Sequence, residues 1–458
     1  MISIVLQYFV AFLSQVFLAR ILEPEHFGVL AFVTMVTMFF DRFTNLFGDK
    51  YIVREKEDIF RKLDSVFTLE LILAFIVSAL FIFFAPIIME LLDRPKLTIY
   101  VQVLSIAFFY NALSKPRSLF EKNLVFLKVK YPQILSKIIS GIIGIILAYL
   151  GYGVWSLIIW KLAGLYIEVA LIWIITPYRP RLRLNQEHLK GIIAFGWPLL
   201  GSSIFVFYYW NVDYYIVGQL LSAKTLGYYW MAYQVSHYFL SVKASLISVV
   251  FPAFSMLRDK NTILQGFNVL TKITLILYAF PTIITFLLGD QLIELVFGEK
   301  WLPAVDILKI FMVLTTWRAV TSYWDPVFMF YERTKILFNM TILNAVIITF
   351  LGYHATLIYG MEGMAAAVLV SIVIVSPIAA FQLKKIIDVS YTKILGKSLA
   401  VIVILAFLFK LVLFMLVSIN GDSIFAILFS TFIFTLIYFG LFIRLNRDII
   451  NDVKIKNK

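Results

Sequence analysis

Cysteine is absent from this chain of 458 residues, which excludes disulfides, thiolate metal sites and cysteine nucleophiles. Histidine is almost as scarce. His26, His188, His237 and His354 stand far apart, without the short spacing of a metal-binding pair, so no metal site is expected. Charged residues make up only 15% of the chain, against about 25% in soluble domains. What is abundant is apolar surface: 62% of the residues, with 44 Phe, 24 Tyr and a mean hydropathy of +0.92. Such a chain cannot close into a particle with a polar exterior, so its exterior must face hydrocarbon. The apolar runs are of helical length, and helices satisfy their own backbone in lipid, so the expectation is an all-α membrane protein. Residues 1–20 read as a first span that is retained rather than as a cleavable leader.

The stretch FLARILEPEHFGVLAFVT, residues 17–34, organises the rest. An apolar run ends at Ala19-Arg20, an acidic turn follows at Glu23, Pro24 and Glu25, and Gly28 opens a second apolar run. The plan returns 199 residues later as IVGQLLSAKTLGYYWMAY, residues 216–233. Gly227 stands there for Gly28, and Leu220-Leu221 for Ile21-Leu22. Glu90-Leu91-Leu92 likewise matches Glu294-Leu295-Val296, and Gly153 matches Gly363. Repetition at this scale indicates two related halves. Their common orientation makes them parallel repeats about an axis along the membrane normal.

A spanning helix needs roughly 20 mostly apolar residues. Fourteen candidates begin near residues 2, 27, 65, 98, 131, 153, 191, 226, 267, 302, 335, 362, 398 and 423. Loop charge agrees with that count, because Lys and Arg stay on the cytoplasmic side of short loops. The even-numbered connections and the C-terminal tail carry 27 of the 40 cations; the odd-numbered ones carry only Arg94, Lys96, Lys224 and Lys300. Both termini are therefore expected in the cytoplasm. The net charge of +13 reads as a topology signal and a contact for anionic membrane lipids, with no nucleic-acid partner.

The expected architecture is 14 transmembrane helices in two pseudo-symmetric six-helix lobes plus a C-terminal helix pair. Residues 1–176 would form the N-lobe (spans 1 to 6), 177–190 a basic cytoplasmic linker, and 191–387 the C-lobe (spans 7 to 12). Residues 388–458 would hold spans 13 and 14 and a basic cytoplasmic tail. Residues 49–64 and 115–130 alternate apolar and basic residues and read as interfacial amphipathic helices.

A set of segments resembles one family, in order and spacing: LARILEPEHFG (18–28), KPRSLFEKNLVF (115–126), GYGVWSL (151–157), WPLLGSSIFVFYYWNVDYYIVGQLL (197–221), LGYYWMAYQV (226–235), VVFPAFSMLRDK (249–260) and LVFGEKW (295–301). Together they span about two-thirds of the chain. They resemble the polysaccharide transporters, the O-antigen and exopolysaccharide flippases of the multidrug/oligosaccharidyl-lipid/polysaccharide exporter superfamily. A short N-terminus and an unusually acidic first turn depart from that pattern. The resemblance implies a non-enzymatic flippase of the bacterial cytoplasmic (inner) membrane. It would carry a polyprenyl-pyrophosphate-linked oligosaccharide to the outer leaflet for O-antigen, exopolysaccharide or teichuronic-type polysaccharide. A polysaccharide polymerase and its chain-length machinery would act beside it.

Ionisable residues inside spans are costly unless they face a polar cavity or a partner. Those near span ends, Arg20, Glu70, Lys137 and Lys272, read first as snorkelling to the head groups. Arg42 and Lys243 fall two positions apart once the 199-residue offset is applied, both in the second span of a half. Arg318, in the tenth span, is too deep to snorkel easily. A group of buried cations calls for an anion, and a lipid pyrophosphate offers two phosphates that Arg grips bidentately. Arg42, Lys161, Lys243 and Arg318 are the candidate substrate-binding cations. The competing reading is internal pairing, for instance of Arg42 with Asp213 or Glu168. Tyr209, within the aromatic run around Asp213, is a candidate platform for a sugar ring, or else part of an interfacial belt. Asp213 itself is the candidate ion-coupling residue, for H+ or Na+; a fixed structural ion pair is its alternative.

No cofactor is expected. Gly396-Lys397-Ser398 looks like the end of a phosphate-binding loop, but Tyr391 occupies the place of the glycine that such a loop requires. Two rival functions remain. An ion-coupled multidrug exporter would favour an acidic cavity, whereas nine span cations face six span acids here. A membrane glycosyltransferase or polymerase acting on the same lipid-linked sugar would need catalytic groups on substantial outer loops, and these loops are minimal.

Overall fold

The computed structural model describes residues 2–256, 260–420, 431 and 433–440. These are helical, with no strand among the described residues. The helices in chain order are α1 (Ile2–Ile21), α2 (Pro24–Asp41), α3 (Gly48–Arg54), α4 (Ile59–Leu91), α5 (Thr98–Leu104), α6 (Phe109–Leu113), α7 (Arg117–Lys122) and α8 (Phe126–Tyr149). They continue as α9 (Val154–Ile175), α10 (Gln186–Leu220), α11 (Ala223–Met256), α12 (Lys260–Phe297), α13 (Val305–Thr321), α14 (Trp324–Phe330), α15 (Thr334–Ile387) and α16 (Tyr391–Asn420). Among the described residues, eight helical stretches are long and apolar enough to cross a bilayer: 24–44, 59–91, 95–113, 126–149, 154–175, 186–220, 260–297 and 334–387. The start of the last expected span near 423, Arg258 and the C-terminal tail lie outside the described residues.

Local chemistry explains where these helices begin and break. At α2 the Glu23 side chain and the His26 ring form a reciprocal capping box, with Pro24 at the first helical position. Asn185 caps α10, its side-chain oxygen accepting from the Glu187 amide at 2.8 Å. The fourth span is broken by a 3-10 turn at Ser105–Phe108. There the Ser105 hydroxyl bonds back to the Gln102 carbonyl at 2.6 Å, competing with the regular ladder. The 54-residue run of α15 is two helices, because Gly360 adopts φ 63 and ψ −143 just ahead of the span expected to begin near residue 362.

The described residues divide into two compact units. The first takes residues 2–232, 294–304 and 341–368; the second takes 233–293, 305–340 and the chain from 369. In the first unit, Leu46, Tyr51, Ile52, Leu63, Val66, Ile192 and Leu200 form a buried cluster. The basic stretch after α9 is laced onto α4. The Arg181 amide and the Tyr178 hydroxyl donate to Asp64, and the Arg183 amide donates to the Thr68 hydroxyl. The start of α2 packs against the start of α11 with no room for a side chain. A Cβ on Gly28 would lie 1.7 Å from the Ala223 carbonyl oxygen, and one on Gly227 1.9 Å from that of Pro24. Those partners are themselves 199 residues apart, so the contact repeats the symmetry of the sequence.

Two of the buried clusters in the second unit are rich in aromatic residues. Phe267, Tyr323, Val327, Phe328, Leu383 and Ile387 form one. In the other, Phe434 stacks on Phe409 at 4.1 Å, and the Tyr438 hydroxyl donates to the Ile276 carbonyl at 2.7 Å. Large apolar side chains face outward: Phe75 and Phe83 of α4, Phe350 and Ile358 of α15, and Phe407 of α16 are all exposed. Only hydrocarbon accepts that surface.

Candidate functional site

In the first unit the candidate cations gather where α2 ends. Arg42 opens a single 3-10 turn (Arg42–Thr44). Its guanidinium lies over the Phe207 ring of α10, 5.6 Å from the centroid, and its buried Nε has no hydrogen-bond partner. Neither suggested partner neutralises it. Glu168 pairs with Arg117 at 3.8 Å, and Asp213 accepts the Tyr229 hydroxyl at 2.9 Å. Lys161 of α9 is half-buried, and the carboxylate whose charge reaches it is Asp41. Asp41 in turn accepts from the Asn111 amide at 2.9 Å and the Thr44 hydroxyl at 3.2 Å. One carboxylate thus feels two cations, Arg42 beside it in sequence and Lys161 of α9.

Adjacent to this site is a network that sequence reasoning missed. Glu70, read above as snorkelling, is fully buried in α4 and bonded to the Lys115 ammonium at 2.9 Å. Its second oxygen accepts the Gly48 amide at 3.2 Å. Lys115, only 3% exposed, also reaches Asp49 at 3.5 Å. Burial pushes the Asp49 carboxyl up, but the Lys115 and Arg117 charges outweigh it and hold the group below its ordinary value. The hint in the sequence was Lys115 opening the KPRSLFEKNLVF segment, though nothing in it named Glu70 as the partner. Beside these, Glu55 binds Lys62 at 2.6 Å and Arg54 at 2.9 Å, and those hydrogen bonds hold its carboxyl low.

Along α10, Tyr209 is half-buried and meets Trp210 edge-on at 5.4 Å. Asp213 is 5% exposed and accepts the Tyr214 amide at 2.9 Å as well as the Tyr229 hydroxyl. The Tyr229 bond ties α10 to α11. Tyr208 turns outward, its hydroxyl bonded to that of Thr349 at 2.8 Å, beside an apolar cavity of about 430 Å³ lined by Ile204, Phe205, Ile342, Val346 and Phe350.

In the second unit the structure brings Lys243 and Arg318 together, the Lys243 ammonium donating to the Arg318 carbonyl at 3.3 Å. Arg318 lies in the last turn of α13, nearer a helix end than its sequence context suggested. Asp325 of α14 is the carboxylate whose charge reaches Lys243. His237, one turn and a half before Lys243, stacks on Tyr233 at 5.9 Å and feels both positive charges. No cluster of three His, Asp or Glu residues suits a metal ion among the described residues.

Comparison with solved structures gives the fold of these kinked spans. The chain superimposes on a structure of the lipid II flippase MurJ in an inward-closed conformation with a TM-score of 0.79, covering 98% of this chain and 99% of that one at 17% identity. It also superimposes on an inward-facing multidrug resistance MATE family transporter of the MOP superfamily, with a TM-score of 0.62 over 84% of this chain and 96% of that one at 16% identity. The sequence then gives the family. Residues 17–306 match the profile of the polysaccharide biosynthesis proteins, and the chain belongs to that family. The succinoglycan biosynthesis transport protein ExoT of Rhizobium meliloti (strain 1021) is 23% identical over 346 residues, 74% of this chain and 69% of that protein. The resemblance drawn from LARILEPEHFG and its companion segments is borne out.

Proposed function

We propose that this chain is a flippase carrying a polyprenyl-pyrophosphate-linked oligosaccharide from the inner to the outer leaflet by alternating access. The observation that carries this reading is Arg42, a cation inside the protein whose buried Nε has no partner and which neither Glu168 nor Asp213 neutralises. The carboxylate within reach, Asp41, also carries the charge of Lys161, so the two cations together exceed that one anion and an anion from outside would be attracted there. Lys161 of α9, whose charge like that of Arg42 reaches Asp41, supplies further positive charge for a pyrophosphate, and Lys243 and Arg318 are the candidate cations of the second unit. Membership of a polysaccharide biosynthesis family supports the cargo class, and the fold of lipid II flippase MurJ supports a lipid-linked cargo.

In this reading the helices are fourteen spans in two six-helix lobes plus a C-terminal pair. The lobes are residues 1–176 and 191–387, joined by the linker at 177–190, with residues 388–458 holding the last spans and the tail. Both termini lie in the cytoplasm of a bacterial inner membrane, as the loop charges require. Tyr209 stacks on a sugar ring, and Asp213 couples the cycle to H+ or Na+. A polymerase and chain-length machinery take the product. The excess of span cations over span acids argues against the export of cationic drugs.

The test is export of surface polysaccharide in a strain that depends on this chain. Arg42→Ala, Lys243→Ala and Arg318→Ala should each lower export at least about tenfold at normal membrane levels, the weight of one charge-assisted hydrogen bond. Arg42→Lys and Arg318→Lys should recover only part, since they keep the charge and lose the fork. Undiminished export in all three alanine variants removes the anion-binding argument.

A further inference from the structure

The first unit contains a second device, at the end where α1 and α10 finish. The last carbonyls of a helix lack donors within it. At the end of α10, Arg94 Nη2 donates to the carbonyls of Gly218 at 2.7 Å and Leu221 at 2.9 Å. At the end of α1, Trp301 Nε1 donates to the Ala19 carbonyl at 2.9 Å, and Lys300 Nζ donates to that of Leu22 at 2.7 Å. Ala19 and Leu22 are the counterparts of Gly218 and Leu221 at the 199-residue offset. The traffic also runs in the opposite direction. Arg20 Nε donates to the Val296 carbonyl at 2.9 Å, and Gln219, the counterpart of Arg20, donates to the Leu92 carbonyl at 3.3 Å. Leu92 and Val296 close the matching Glu-Leu-Leu and Glu-Leu-Val segments.

Each half of the sequence therefore caps the first helix of the other half. The corner after α4 holds the end of α10, and the corner after α12 holds the end of α1. Both caps include a cation at a helix C-terminus, where the macrodipole favours it. Between them Gly28 and Gly227 bring the backbones of α2 and α11 into contact, and Trp301, fully buried, packs edge-on against Phe27 at 5.3 Å.

We propose that these reciprocal caps form a clasp that shuts the transporter at the end where α1 and α10 finish, and that both caps release in one motion when that end opens. No bond of the set lies within one half, so separating the halves there keeps none of them. That this end is the outer one rests on the topology proposed above.

The test uses the full-length chain, which has no native cysteine. Val33 of α2, fully buried five residues beyond Gly28, is the reporter as Val33→Cys, labelled with an impermeant maleimide on intact cells. Arg94→Gln and Lys300→Gln should each raise its labelling rate about tenfold, and together by about a hundredfold, because both bonds break in the same step. Lys300→Arg should return the rate toward that of the parent. An unchanged rate in the double variant overturns the clasp. A Ser222→Cys control that fails to react in intact cells overturns the sidedness alone, and the same comparison in inverted vesicles then decides the clasp. A second measurement does not depend on the Gln variants folding. Bridging Glu23→Cys to Lys300→Cys, the sites of an ion pair 3.4 Å apart, with a cleavable bis-thiosulfonate should stop polysaccharide export until the bridge is reduced. Export that continues through the bridge overturns the proposal.

Discussion

Replacing Lys115 by Met tests whether the network beside Arg42 is as dry as it looks. The substitution keeps the length of the side chain and removes its charge. Glu70, fully buried, is then left with the Gly48 amide as its one remaining bond. Breaking a buried ion pair from one side costs about 3–5 kcal/mol, because the surviving charge stays desolvated. Glu70→Leu should be milder, about 1–3 kcal/mol, since Lys115 retains Asp49 at 3.5 Å and the orphaned group is a neutral amide. The double variant removes both charges and leaves mainly that amide, so it should cost no more than Glu70→Leu alone. The two single costs would then overestimate the double by about 3–5 kcal/mol, the coupling energy of the pair. Unfolding in mixed SDS and maltoside micelles, followed by tryptophan fluorescence, measures all four proteins. If Lys115→Met lies within about 1 kcal/mol of the parent, or if the costs simply add, water reaches the pair and the reasoning fails.

Two other outcomes are expected. Asp213→Asn keeps the shape of the side chain; its oxygen can still accept the Tyr214 amide while its NH2 donates to the Tyr229 hydroxyl, so the protein should still bind substrate. If Asp213 is the coupling site, flipping by the reconstituted variant should lose its dependence on imposed proton or Na+ gradients; an unchanged response makes Asp213 a strut between α10 and α11. The Glu55 carboxyl is held low by the hydrogen bonds from Lys62 and Arg54, so the stability it adds is complete above the ordinary carboxylate range and is lost as pH falls through its lowered value. Thermal unfolding scans toward acid should therefore steepen in the parent relative to Glu55→Gln, and equal slopes would show that this clip adds nothing.

Much of the site was legible only as a list of candidates. Arg42, Lys161, Lys243 and Arg318 stood out because a cation inside an apolar run is costly wherever it falls. Which of them lie together was not legible. The structure sets Lys243 beside Arg318 and brings Arg42 and Lys161 each within reach of Asp41, and it gives Glu168 to Arg117 and Asp213 to Tyr229. Glu70 was misread for the same reason. A carboxylate near the end of a span looks identical in sequence whether it snorkels to water or meets a lysine 45 residues further on.

The sequence by itself determined the properties that depend on composition and on neighbours along the chain. The scarcity of charge required a bilayer. The apolar runs marked a new span near residue 362, where Gly360 breaks the helix. The 199-residue repeat placed Gly28 and Gly227 in equivalent positions, and both glycines prove to be needed at one shared contact. Only the tertiary structure decided how the repeats engage. Arg94 caps carbonyls 124 and 127 residues away, and Lys300 and Trp301 cap carbonyls 278 and 282 residues away. Helix ends and buried ions take any donor of the right charge and reach, so sequence shows that partners are required. Which partner arrives is set by how the helices pack, and packing joins residues with no regard for their separation along the chain.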